Sequence, residues 1–197
     1  DVIADFQKDI NIYFNTPGRK EQSLVESSSQ AWVKLYKSTK SSSNYQISYY
    51  ILGSIVALCL DVQLRSKGSS LSSLTRYLWV KFGNNKVGYT RFDIIDYLNR
   101  FDPNFSILLS NWLETPNSLN IEHILDLVGI DIEEKLDDLQ IGLNVSEKGG
   151  QFIIENIIPN SPAYNSELIS GDQLVSIDSF QIKKLDNITK YSLNKDS

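Results

Sequence analysis

Methionine is absent from this chain of 197 residues, even at position 1, and histidine and cysteine occur once each, at His123 and Cys59. Each scarcity excludes something. One cysteine rules out an internal disulfide framework, and its neighbours Leu58 and Leu60 make Cys59 a small buried hydrophobe rather than a reactive thiol. A catalytic zinc needs three protein ligands, commonly two of them His, which one His and one such Cys cannot supply. No metal site is expected in this chain, and alone it should be inactive as a zinc hydrolase. A Ser/His/Asp triad on His123 lacks a G-x-S-x-G elbow or any other nucleophile context. His123 is read as a structural or solvated side chain. A net charge of -5 gives no basic face for nucleic acid. The longest apolar run, Tyr49 to Leu60, is too short to cross a bilayer, and no charged-then-apolar leader opens the chain, so neither a nucleic acid nor a membrane is expected as partner. The missing methionine suggests a piece cut from something longer.

What is present changes character part-way along. Ile3, Phe6, Ile10 and Tyr13 stand at helical spacing until Pro17-Gly18. "SSSQAWVKLYK" predicts a short helix after Ser28 or Ser29, with Trp32, Leu35 and Tyr36 to one side, and the polar "STKSSSN" that follows reads as a surface loop. Tyr49 to Arg65 is apolar on almost every face, as a helix surrounded by other elements requires, with Ser48 as its cap and Asp61-Arg65 as an i,i+4 pair. Ser70 should cap a helix carrying Leu71, Leu74, Leu78 and Phe82, closed by Gly83. Thr90 and Asp93 have capping-box spacing, Asp102-Pro103 should open another helix, and Gly129 should stop a last one. Beyond about residue 130 the pattern becomes short Ile/Val/Phe runs separated by Gly-Gly and Asn-Ser-Pro turns. The expected architecture is α+β, with a helical unit at 1–130 and a small β unit at 131–197. The carboxylates from Asp131 to Asp138 lack the spacing of a calcium loop and read as a solvated linker.

"NSPAYNSELISGDQLVSIDS", Asn160 to Ser179, resembles the PDZ segment that runs S-P-A, A-G-L, G-D and then a strand ending I-D-G. Ser166-Glu167 stand for Ala-Gly, and Ser179 for the last Gly. In permuted PDZ domains a hydrophobic-Gly-hydrophobic run before the first strand receives a peptide carboxylate. Ile141, Gly142 and Leu143 match it, so that backbone N–H groups there would take the carboxylate while the next strand pairs with the peptide. Alternatively, Gly142 merely marks a strand entry. Two further strands of a full PDZ domain are missing after residue 197, so the β unit is expected to be truncated.

The order "PGRKEQSLVESSSQAWVKLYK", "ISYYILGSIVALCLDVQLR", "SSLSSLTRYLW", "GYTRFDIIDYL" and then the PDZ-like tail resembles the C-terminal part of the glycyl-aminopeptidase family of zinc metallopeptidases. The carrying motifs are Gly18-Arg19 with Gln22-Ser23-Leu24, the Ser48 to Arg65 helix, and the S-P-A to G-D segment. The resemblance implies the helical C-terminal portion of a thermolysin-like peptidase domain, followed by PDZ. Zinc, its HExxH helix and the third ligand would lie upstream of Asp1 in a longer parent. It also implies removal of N-terminal Gly or Ala from a peptide substrate, with these helices walling the cleft and the tail accessory. The alternative is a non-enzymatic module that binds the C-terminus of a peptide or protein ligand through the PDZ-like part. Two readings stand for Tyr49 and Tyr50: rings that plug an apolar helix mouth, or one hydroxyl facing a reaction. Related peptidases carry a catalytic tyrosine in a Y-x-K-G run, which by resemblance makes Tyr50 a donor to the transition-state oxyanion. Leu52 stands where that run has Lys.

Overall fold

A computed structural model describes residues 2–34, 36–37, 42–132, 141–177, 179–185 and 188. The fold is α+β. Helix α1 (Val2–Phe14) runs into a 3-10 turn at Pro17–Lys20, and is followed by α2 (Leu24–Ser29), α3 (Ala31–Lys34) and a 3-10 turn at Ser42–Asn44. The long helix α4 (Tyr49–Ser66) comes next, then α5 (Leu71–Leu78), α6 (Arg91–Leu98), α7 (Phe105–Glu114) and α8 (Ile121–Asp126).

The centre of the helical part is α4. Leu52, Ile55, Val56, Cys59, Leu60, Val62 and Leu64 are all buried, against Tyr13, Leu74, Leu98, Trp112 and Ile124 from the surrounding helices. By length and composition α4 could cross a membrane, contrary to the estimate from its apolar run, but these side chains are spent on an intramolecular core. Asp61 ties its far end to the next helix, accepting from Arg65 Nε at 2.6 Å and from the Leu71 N–H at 2.7 Å. Ser70 caps α5 as expected, and Thr90 with Asp93 closes a capping box on α6. A π turn at Trp79–Gly83 extends α5, and a Cβ on Gly83 would lie 2.5 Å from the Trp79 ring.

Several boundaries differ from expectation. The short helix expected after Ser28 or Ser29 is α3, and a further helix precedes it from Leu24, where Ser23 and Glu26 form a reciprocal capping box. The Ser48 side chain makes no capping bond. Helix α7 begins at Phe105, two residues past Pro103, while the Asp102 carboxylate accepts from the Asn104 N–H at 2.9 Å. The serine-rich stretch is not simply a surface loop: within it, Asn44 is buried.

In the β part, β1 (Leu143–Lys148) and β2 (Gln151–Ile157) form an antiparallel hairpin. Its turn is Gly149-Gly150, both at positive φ, which a two-residue hairpin turn of matching twist requires. Phe152, Ile154 and Asn156 of β2 are buried in strand alternation. The strand expected after Gly171-Asp172 is instead divided. Its first half, β3 (Gln173–Leu174), pairs with β2, and its second, β4 (Ser176–Ile177), pairs with β5 (Phe180–Gln181). Sheet order β1-β2-β3 leaves β1 at an edge among the described residues. Ser161 caps a 3-10 turn at Pro162–Asn165, and Gly171 at φ 103 turns the chain toward β3. Ser179 adopts φ 69, the left-handed conformation that the resembled motif fills with Gly.

Candidate functional site

The extended segment leading into α4 is gripped from the helical side by residues of the Gly18 to Ser27 stretch. Gly18 lies flat against Gln46, where a Cβ would come within 2.2 Å of the backbone nitrogen. The buried Gln22 accepts the Ile47 N–H at its Oε1, 3.1 Å away, and the Ser27 hydroxyl donates to the Ile47 carbonyl. Arg19 braces the stretch from behind. Its guanidinium lies over the Tyr13 and Phe14 rings at 5.1 and 5.3 Å and donates to Asn117 Oδ1. The residues that carry the sequence motif thus fix the backbone that delivers Tyr49 and Tyr50.

Tyr50 sits in the first turn of α4 with 61% of its surface exposed, so its ring does not plug the helix mouth, whereas Tyr49 is half-buried. Their rings lean together at 4.1 Å between centroids. The two hydroxyls are hydrogen-bonded to each other, and both also bond Tyr36. Because Tyr49 and then Tyr36 hydrogen-bond it, the Tyr50 phenol is held below its ordinary pKa, while the same bond to Tyr50 pushes Tyr49 up. A phenol made more acidic by its neighbours is a stronger hydrogen-bond donor to an anion than an isolated one. Tyr36 stacks on Trp32 one helical turn earlier, at 5.2 Å, leaving an exposed aromatic rim beside Tyr50. Leu52 is buried in the helical core, so the position that the resembled run fills with Lys presents no charge here.

Other candidates are placed elsewhere. His123 is exposed on α8, its N–H donating to the cap Asn120 at 3.1 Å. Cys59 is fully buried, and burial pushes its thiol up to about 12. Among the described residues no three His, Cys, Asp or Glu side chains come together as metal ligands. Acidic residues 133–138 lie outside the described residues; Asp131 is exposed. A groove of about 450 Å³ between α1, α4 and α5 is lined by Phe6, Ala57, Leu58 and Asp61, and Tyr50 takes no part in it.

Ile141, Gly142 and Leu143 lead into β1. The Ile141 carbonyl accepts the Ala163 N–H and the Gly142 carbonyl the Ile158 N–H, both at 2.9 Å. Gly142 adopts φ 82, and a Cβ there would fall 2.0 Å from Ser161 Oγ, so glycine is required by packing whether or not a ligand binds. This stretch is joined to the tyrosine site through β2. Ile157 pairs with Leu143, and its carbonyl accepts from Asn44 Nδ2 at 2.8 Å. Residue spacing alone did not disclose Tyr36 or Asn44; an Asn at an inward strand position, Asn156, is the one hint of the second.

Residues 1–56, a span that includes Tyr50, match the family model of the M61 glycyl aminopeptidases. Among solved structures, the crystal structure of an aminopeptidase N family protein from Idiomarina loihiensis matches with a TM-score of 0.82 and 24% identity, covering 92% of this chain and 35% of that one. The chain therefore spans about a third of the length of the solved structure it matches. No curated protein matches it. The resemblance to glycyl aminopeptidases is met by the family model over residues 1–56, and the solved structure shares the fold.

Proposed function

We propose that this chain forms the C-terminal helical wall of the substrate cleft in a longer metallo-aminopeptidase, with Tyr50 as the hydroxyl that meets the reacting carbonyl oxygen. The observation that carries this is the exposed Tyr50 phenol at the start of the core helix, hydrogen-bonded by Tyr49 and Tyr36. When a peptide carbonyl is attacked, its oxygen gains negative charge, and a donor held by a rigid helix stabilises that charge without reorganising. The zinc implied by the family resemblance finds no ligand set among the described residues. It would be held upstream of Asp1. Preference for N-terminal Gly or Ala, and an accessory PDZ-like unit over 131–197 beside a helical unit over 1–130, belong to the same proposal.

The test is kinetic. With the upstream coding region restored, Tyr50→Phe should lower kcat by roughly a hundredfold with KM little changed, as for a donor acting mainly in the transition state. Tyr49→Phe should cost a few-fold at most. Near-normal kcat in the Tyr50 variant would remove the role.

A second reading, a module binding peptide C-termini, is favoured by the edge position of β1 and the turn at Gly142. It predicts that labelled peptides with a free C-terminal carboxylate bind this chain while their amidated counterparts do not.

A further inference from the structure

The two parts of the chain meet through a buried pair of side-chain amides. Asn44 Nδ2 donates to Asn156 Oδ1 at 3.1 Å, and Asn156 Nδ2 donates to Asn44 Oδ1 at 2.8 Å. Asn44 Nδ2 also reaches the Ile157 carbonyl, and Asn156 Nδ2 reaches Ser43 Oγ at 3.2 Å. Asn44 is 7% exposed and Asn156 4%. A buried amide that loses its partner bears a desolvation cost, so such a pair tolerates little displacement of either strand or turn. Four residues separate Asn44 from Tyr49. Through them the backbone leaves the turn, with the Tyr45 and Gln46 N–H groups donating to the Ser42 carbonyl, reaches an extended Ser48, and is held on its other side by Gly18, Gln22 and Ser27. The structural match to the aminopeptidase N family protein covers 92% of this chain, a share that only a match running through both parts can reach.

From this geometry we propose that Asn156 of the β part is a positioning residue for Tyr50, acting through Asn44 and the connecting segment 45–48. The β part thus helps set where the hydroxyl points. This rests on the reading of Tyr50 as the oxyanion donor, and the two are tested by different signals. The clamp from Gly18, Gln22 and Ser27 fixes the segment near Gln46 and Ile47, but its upstream end is fixed from the β part. Without the Asn156 amide, the Ser42–Asn44 turn loses the bonds to Asn44 Oδ1 and Ser43 Oγ, and the segment can shift toward or away from α4.

The experiment uses this chain with 13Cζ-labelled tyrosine, the Tyr50 resonance being assigned by its loss in Tyr50→Phe. Asn44→Ala and Asn156→Ala should each move the Tyr50 signal in the same direction, and the double variant should move it no further than the larger single change. In the longer protein Asn156→Ala should lower kcat about five- to tenfold at unchanged KM. A variant that lowers the melting temperature while leaving the Tyr50 resonance where it was would overturn the proposal, since a merely structural bond would do just that. If Asn156→Ala fails to fold, Ser43→Ala, which removes one of the bonds, decides the matter: a smaller shift in the same direction upholds the proposal and an unmoved signal ends it. Should Tyr50 move as expected while Tyr50→Phe retains kcat, the coupling stands and the catalytic reading is what has failed.

Discussion

A side chain at residue 18 has nowhere to go. The atoms it would meet are the Gln46 nitrogen at 2.2 Å and oxygen at 2.3 Å, backbone rather than the movable end of a side chain. Gly18→Ala must therefore push the segment that delivers Tyr50, at an overpacking cost of about 1–3 kcal/mol. A lowered melting temperature together with a displaced Tyr50 resonance is expected, and a variant that melts like the parent would show that the contact yields. The reading of Tyr50 as a donor comes from its match to a short family run and stays a proposal. Tyr36, which bonds it, carries no such signal, since its hydroxyl arrives from the turn after α3 and no local spacing predicts that meeting. Leu52, which departs from the resembled run, is itself buried in the helical core.

Helix starts in this chain depend on carboxylates that accept backbone N–H groups, and these make stability sensitive to acid. Glu26 accepts the Ser23 N–H at 2.9 Å and Asp93 the Thr90 N–H at 2.9 Å, and these bonds hold both carboxyls below their usual range. The Asn104 N–H and Lys67 do the same for Asp102. A depressed folded pKa contributes stability that is complete above the unfolded value, about 4, and is lost as pH falls through the folded value. Urea midpoints should therefore be level from pH 7 to about 5 and decline below about 4, and Glu26→Gln with Asp93→Asn should flatten that decline. An unchanged slope in the double variant would assign the acid sensitivity elsewhere. Ser23→Ala should cost about 1 kcal/mol at neutral pH, measured by the same denaturation. Most elements could be read from such signals: the apolar run of α4, the Asp61-Arg65 pair, the Thr90-Asp93 box and the Gly-Gly hairpin all act within a few residues. What escaped was decided at long range. The turn at Ser42–Asn44 is polar and would be solvated on its own, and its Asn44 is buried where Asn156 and the Ile157 carbonyl, more than a hundred residues later, meet it. The strand after Gly171 divides because β2 and β5 each claim half of it, which no periodicity over five residues can express.

For the molecule as a whole, the buried apolar residues form a helical core running from Tyr13 to Leu125, while Phe152, Ile154, Ala163 and Ile182 are buried apart from it. The three tryptophans, Trp32, Trp79 and Trp112, all belong to the helical part, so their fluorescence follows that part alone. Ile154 is fully buried, and Ile154→Ala should destabilise the β amides by about 2–5 kcal/mol in hydrogen exchange. The tryptophan unfolding midpoint should move far less if 1–130 and 131–197 are separate units, and equal losses would make the chain one cooperative body. The single thiol extends this reasoning from equilibrium to time. Cys59 has no exposed surface and is pushed up to about 12 by burial, so in the closed protein it offers a reagent neither access nor thiolate. Each labelling event must then wait for α4 to part from its neighbours. A thiol reagent at high concentration would convert Cys59 into a clock that ticks once per opening of the helical core, and its rate would give the lifetime of the closed state without any denaturant.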